Sequence, residues 1–225
     1  MYNFAMVFGK IEYLNLLPFH IFMKRFTRSS QQSVSMHYKR GVPAKINNEF
    51  LNRRVDAAFI SSVKAKNSLH VELGIIAKKE VLSVLVKPHN KNISDIESAT
   101  SNVLANLLQV KGEVLIGDKA LKYYLSGALH VDLAKEWNRK YNLPFVFAIL
   151  CYHKDASRYK KIQKEFLKSK IKIPRYILDI AAKRTGISQK DILEYLKYIS
   201  YNLDTKAKKG LNTFYKELRV KKSTI

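Results

Sequence analysis

The chain has 225 residues, 47% of them hydrophobic, and carries 41 Lys and Arg against 18 Asp and Glu, a formal charge of +23. So large an apolar fraction excludes a disordered chain, and the length suits one large domain or two lobes of about 100 residues each. The single cysteine, Cys151, excludes an internal disulfide, and no His or Cys pair has zinc-ligand spacing, so no metal is expected. The Lys residues are scattered through every segment, which reads as a solvated surface; a polyanionic partner or the steering of a small anionic substrate are the other readings of such a charge. The start, "MYNFAMVFGKIEYLN", lacks the basic and long apolar regions of a secretory signal. No apolar run approaches the roughly 20 residues of a membrane span, and the expectation is a cytoplasmic protein with no membrane partner.

In chain order, residues 4–11, "FAMVFGKI", predict a first strand, and "LPFHIFMKRF" predicts a helix with Pro18 in its first turn, where the missing N–H costs nothing. "SVSMHYKRG" alternates as a second strand closed by Gly41. In "VPAKINNEFLNRRVDAAFISS", Pro43, Ile46, Phe50 and Leu51 have helical spacing, and "VDAAFIS" is a buried strand. This β-α-β-α-β order predicts a largely parallel sheet with crossover helices. "VELGIIAKKEVLSVLVKP" adds two extended segments, and a helix follows from near Thr100 and Ser101. "KGEVLIGDKALKYYLS" reads as strand, turn at Gly117-Asp118, and helix; "DLAKEWNRKYNLPFVFAILCYH" reads as amphipathic helix, turn and strand. From Asp155 onward only helical patterns are predicted. Cys151 is expected to be a buried thiol without chemistry, and Tyr123, Tyr124, Trp137, Phe145 and Phe147 are expected in the core.

Several predicted strand ends carry small hydroxyl, amide or acidic residues where a helix begins: Asn15, Ser61 and Ser62, Thr100 and Ser101, and Gly117-Asp118. Such residues are ordinary helix caps. They also sit where open α/β sheets hold ligands, beside helix N-termini whose free N–H groups and dipole favour a carboxylate or phosphate. Several in register along one chain point to an anion-binding cleft.

"GKIEYLNLLPFH", "GVPAKINNEFLNRRVDAAFISS", "VLSVLV", "SATSNVLANLL", "VLIGDKAL", "DLAKEWNRKYNLPFVFAIL" and "ILEYLKYISYNLDTKAKKGLNTFY", in this order and over nearly the whole chain, resemble the chorismate dehydratase family of the futalosine route to menaquinone. The resemblance implies an α/β, two-lobed type II periplasmic-binding-protein-like fold with mixed, mainly parallel sheets and C-terminal helices. Residues 1–86 and 150–225 would form one lobe and 87–149 a second, reduced lobe. It implies loss of water from chorismate, a small dicarboxylate, to give 3-[(1-carboxyvinyl)oxy]benzoate with no cofactor. On this likeness Asn15 is the catalytic candidate, and Ser61, Ser62, Ser83, Thr100, Ser101, Asn102 and Asp118 bind substrate. Thr100, Ser101 and the Asn102 amide would grip a carboxylate, and Lys64 could aid a dianion. None of these candidate residues is a His or Glu; Glu12 and His20 flank Asn15 in the first motif, and strand alternation turns Glu12 away from Asn15. The implied base is the enolpyruvyl carboxylate of chorismate itself.

The 1,4-dihydroxy-6-naphthoate synthase of the same pathway shares the expected fold, and a solute-binding protein would share the cleft without the chemistry. "ILDIAAKRTGISQKDILEYLK" also has the outline of a helix-turn-helix. Its second helix carries Asp191 and Glu194, and its Ile, Leu and Tyr residues read as packing, so no nucleic-acid partner is expected.

Overall fold

A computed structural model describes residues 6–29 and 36–223. The first strand, β1 (Met6–Lys10), is followed by α1 (Leu17–Ser29), whose Phe19, Phe22 and Met23 recur at helical spacing and are buried. β2 (Met36–Arg40) pairs parallel with β1 at the sheet edge; the predicted strand residues 4–5 and 33–35 lie outside the described residues. Helix α2 (Pro43–Leu51) then covers the sheet, and β3 (Ala57–Ser61), buried at every position, pairs parallel with β1. Gly9 permits this packing: a Cβ there would lie 2.7 Å from Ile46 and 2.8 Å from Ala58.

After the short helix α3 (Ser62–Ala65) and β4 (His70–Ala77), the chain leaves this sheet and builds a second one. That sheet has the order β6-β5-β7, with β5 (Val84–Lys87), β6 (Glu113–Ile116) and β7 (Val131–Asp132). Its helices are α4 (Ala99–Leu108), α5 (Gly117–Leu125) and α6 (Leu133–Tyr141). β8 (Phe145–Tyr152) returns to the first sheet and inserts between β3 and β4. The tail follows as α7 (Ala156–Lys168), α8 (Arg175–Thr185), α9 (Gln189–Leu196), β9 (Ile199–Asn202) and α10 (Thr205–Ser223).

The α/β architecture, mixed sheet and C-terminal helices agree with the sequence reading, and three details differ. The sheets are not mainly parallel: β1–β2 and β1–β3 are the two parallel pairs, while β3–β8, β4–β8, β4–β9, β5–β6 and β5–β7 are antiparallel. Parallel pairing needs a crossover within one sheet, and after β3 the chain instead shuttles between two sheets. β5, expected in the first lobe, pairs in the second sheet, so the passage between sheets falls at 78–83 rather than near Lys87. The tail also contains a strand: β9 closes the first sheet's edge against β4.

The core runs through both sheets. Trp137 of α6 packs its ring 5.1 Å from Phe145 and 6.1 Å from Phe214, so α10 reaches both β8 and α6. Trp137, Phe145 and Phe147 are buried as expected, whereas Tyr123 and Tyr124 are half-buried on α5, with the Tyr123 hydroxyl donating to the Leu129 carbonyl. Cys151 is fully buried in β8, and burial pushes its thiol up to about 12, which keeps it inert.

Candidate functional site

Between the two sheets lies a cleft that gathers five of the eight predicted residues: Asn15, Ser61, Ser83, Thr100 and Ser101. Asn15 sits in a single 3-10 turn, Leu14–Leu16, between β1 and α1. Ser61 ends β3, Ser83 precedes β5, and Thr100 and Ser101 occupy the first turn of α4. Apolar groups such as Phe59, Ile75, Ile116 and Phe147 complete the wall. Among the described residues the lining carries hydroxyls, one amide and a phenol, but no charged side chain. Such a surface can orient a carboxylate by hydrogen bonds and cannot neutralise it with a counter-charge.

Each polar group is held from behind. Asn47, buried on α2, donates from its amide to Ser61 Oγ at 2.8 Å and accepts from the Ser61 N–H at 3.1 Å. Ser98 caps α4 by accepting from the Ser101 N–H at 3.1 Å, leaving the helix start turned toward the cleft. Asp132 both caps α6 and accepts from the N–H groups of Val81 and Leu82, the two residues before Ser83. Leu82 holds φ of 61°, a left-handed conformation that this carboxylate helps maintain. Burial pushes the Asp132 carboxyl up, and its four backbone bonds oppose that.

Asn15 is gripped from the C-terminal tail. The Tyr201 hydroxyl donates to the Asn15 main-chain carbonyl at 2.8 Å, and the Tyr195 hydroxyl lies 2.8 Å from Ser83 Oγ. The residue before it is anchored from the other sheet, where Asp118 accepts from the Leu14 N–H at 2.9 Å.

Three predicted residues are placed elsewhere. Ser62, fully buried, donates to the Val146 carbonyl at 2.5 Å. Asn102 pairs with the backbone of Asp95 through both ends of its amide and so shapes the loop before α4. Asp118 lies beneath the 3-10 turn and pairs with Arg184 of α8 at 2.9 Å; burial raises its carboxyl while the Leu14 N–H and Arg184 pull it down. Lys64 does not line the cleft, and Glu12, as expected, turns away to pair with Lys10 and Arg40.

Tyr13 also lines the cleft. Its hydroxyl donates to Glu97 across the gap at 2.5 Å, and burial together with Glu97 raises the phenol far above its ordinary range. Its ring lies over Gly117, where a Cβ would come within 2.6 Å and where φ is +66°. Tyr13–Glu97, Leu14–Asp118 and the Val63 N–H to Thr100 Oγ1 at 3.2 Å join the two sides of the cleft. Asn47, Asp132, Tyr195 and Tyr201 were not marked by the strand-end pattern, because they act behind the lining, and Ser98, which lines the cleft, was passed over for the residues that follow it. Among the described residues no group of three or more His, Cys, Asp or Glu is placed to hold a metal ion, and no helix is long and apolar enough to cross a membrane.

Comparison with known proteins places this geometry. Among solved structures, a protein of Archaeoglobus fulgidus superposes with a TM-score of 0.72 at 14% identity, covering 96% of this chain and 97% of its own. The alkanesulfonate-binding protein SsuA of Xanthomonas axonopodis pv. citri superposes at 0.57 with 10% identity, covering 95% and 93%. These likenesses show a periplasmic-binding-protein-like fold. Residues 98–219 match a family model described as menaquinone biosynthesis. A chorismate dehydratase of Campylobacter jejuni is 46% identical over 215 residues, 94% of this chain and 96% of the relative. One from Thermus thermophilus is 24% identical, with 94% of each chain covered. The chain belongs to the chorismate dehydratase family of menaquinone biosynthesis.

Proposed function

We propose that the cleft removes water from chorismate to give 3-[(1-carboxyvinyl)oxy]benzoate, making the protein a hydro-lyase. The observation that carries this reading is the convergence of Asn15, Ser83 and the α4 N-terminus on one hollow whose lining, among the described residues, offers donors but no charged base. Thr100, Ser101 and the start of α4 hold the ring carboxylate. The proton on the ring carbon that bears the ether oxygen passes to the substrate's own enolpyruvyl carboxylate. The resulting carbanion is conjugated through the ring double bonds to the ring carboxylate, where hydroxyl and amide donors stabilise the charge as it develops. The neighbouring carbon–oxygen bond then breaks, and the departing hydroxide takes the proton from the enolpyruvyl acid, leaving as water with the ring aromatic. Asn15 orients the leaving hydroxyl or the enolpyruvyl group. The elimination is redox-neutral, so it calls for no redox cofactor.

Tyr13 fits a different task. Burial and Glu97 keep its phenol protonated, so it does not take up the substrate's proton, and its bond to Glu97 closes one side of the cleft. In this reading the segments 78–83 and 142–144 act as hinges between two lobes, and closure excludes water from the carbanion. The test is incubation of purified protein with chorismate and mass analysis of the product. Loss of one water with appearance of a benzoate chromophore supports the reading; unchanged chorismate, or its conversion to 4-hydroxybenzoate, opposes it.

A further inference from the structure

We infer that the Tyr195 hydroxyl, carried into the fold by the C-terminal helix α9, is a positioning group that sets the hydrogen-bond direction of Ser83; this rests on the chorismate dehydratase reading of the cleft. Tyr195 is 2% exposed and does not line the cleft, so it acts through its neighbours. Its hydroxyl is 2.8 Å from Ser83 Oγ.

The proton count is restrictive. A phenol has one proton and Ser83 has one. In these buried surroundings a phenol that accepted from Ser83 would leave its own proton unpaired, so the phenol proton goes to Ser83 Oγ and the serine's own proton is left to point into the cleft. Ser83 is then a donor, as an anionic substrate requires. In the reverse arrangement Ser83 spends its proton on Tyr195 and offers the cleft only lone pairs, which would repel a carboxylate. Burial raises the Tyr195 phenol above its ordinary range, so the proton stays available. Tyr201, six residues on, donates to the Asn15 main-chain carbonyl at 2.8 Å, so the same tail segment reaches both Ser83 and Asn15. The bland role for Tyr195 is packing of α9, and in that role Phe would serve equally.

The experiment is a double-mutant cycle of Tyr195→Phe and Ser83→Ala, with kcat and KM measured on chorismate and thermal midpoints recorded alongside. Tyr195→Phe is expected to lower kcat/KM by about ten- to hundredfold while remaining folded. In the Ser83→Ala background the same change is expected to have a much smaller further effect, because the group it acts through is gone. Wild-type kcat/KM in Tyr195→Phe, or losses that simply multiply, would overturn the inference. If Tyr195→Phe fails to fold, 3-fluorotyrosine at position 195 keeps the shape and strengthens the donor: a changed kcat supports the role and an unchanged one removes it. A wild-type protein inert toward chorismate removes the functional reading and this inference with it, whereas normal wild-type turnover with an unaffected Tyr195→Phe removes the inference alone.

Discussion

Replacing Asp132 with alanine is expected to cost more stability than removing any other helix cap in the chain, and to damage turnover as well. The carboxylate is 7% exposed and accepts four backbone bonds: Val81 and Leu82 N–H at 2.9 and 2.8 Å, Ala134 and Lys135 N–H at 2.9 and 3.0 Å. Losing the α6 cap costs about 1 kcal/mol. The Val81 and Leu82 donors lie in buried surroundings and would each forfeit about 1–3 kcal/mol if left unpaired. Relaxation of the left-handed Leu82 returns about 1 kcal/mol, so the net loss is about 4 kcal/mol, a large part of a typical 5–15 kcal/mol stability. Urea denaturation reads this as a lower midpoint at constant slope. Asp155→Ala is the control: it removes an exposed cap on α7, where Asp155 accepts from the Arg158 N–H, and is expected to cost about 1 kcal/mol with turnover intact. An Asp132→Ala protein that loses no more than this control, and still turns over normally, would refute the claim that Asp132 fixes the loop carrying Ser83.

Other outcomes follow from neighbouring contacts. His20 donates from Nε2 to the Ile11 carbonyl at 2.8 Å, and burial, partly opposed by that bond, pulls its pKa from an ordinary 6.5 down to about 4. Because the folded value is depressed, its contribution is complete above about pH 6.5 and is lost, up to about 3 kcal/mol, as the pH falls toward 4; His20→Gln is expected to flatten that part of the stability–pH curve in acid titrations. Asn47→Ala strands the Ser61 N–H and is expected to cost about 2 kcal/mol by denaturation, with a raised KM for chorismate. Gly117→Ala combines a left-handed φ of +66° with a Cβ within 2.6 Å of the Tyr13 ring, so a loss of at least about 1–2 kcal/mol and of most turnover is expected from melting curves and steady-state kinetics. Asn15→Ala is expected to remain folded and to lose turnover at saturating chorismate.

The first half of the chain was legible because its signals are local. Strand alternation followed by a cap placed β1 with Asn15, β3 with Ser61 and α4 with Thr100 and Ser101, and the structure turns all of these into one hollow. The same rule misplaced Ser62, since one step past the strand end the side chain turns onto the Val146 carbonyl. Asn102 and Asp118 fell near the right helix starts but support loops from outside, a distinction that helix spacing alone does not carry. The groups behind the lining were illegible for a different reason. Tyr201 and Asn15 are 186 residues apart in sequence, and nothing near either residue announces the other. Strand direction was misjudged where the chain changes sheets, because the β-α-β pattern does not say which sheet receives the next strand.

In the proposed reaction the start of α4 and the Asn15 turn hold a single chorismate between them. A crystal structure with the product bound tests it most directly. The prediction is a ring carboxylate within about 3 Å of Thr100 and Ser101, with the enolpyruvyl ether beside Asn15. A ligand lodged elsewhere, or one that reaches either group but leaves the opposite wall untouched, would contradict it.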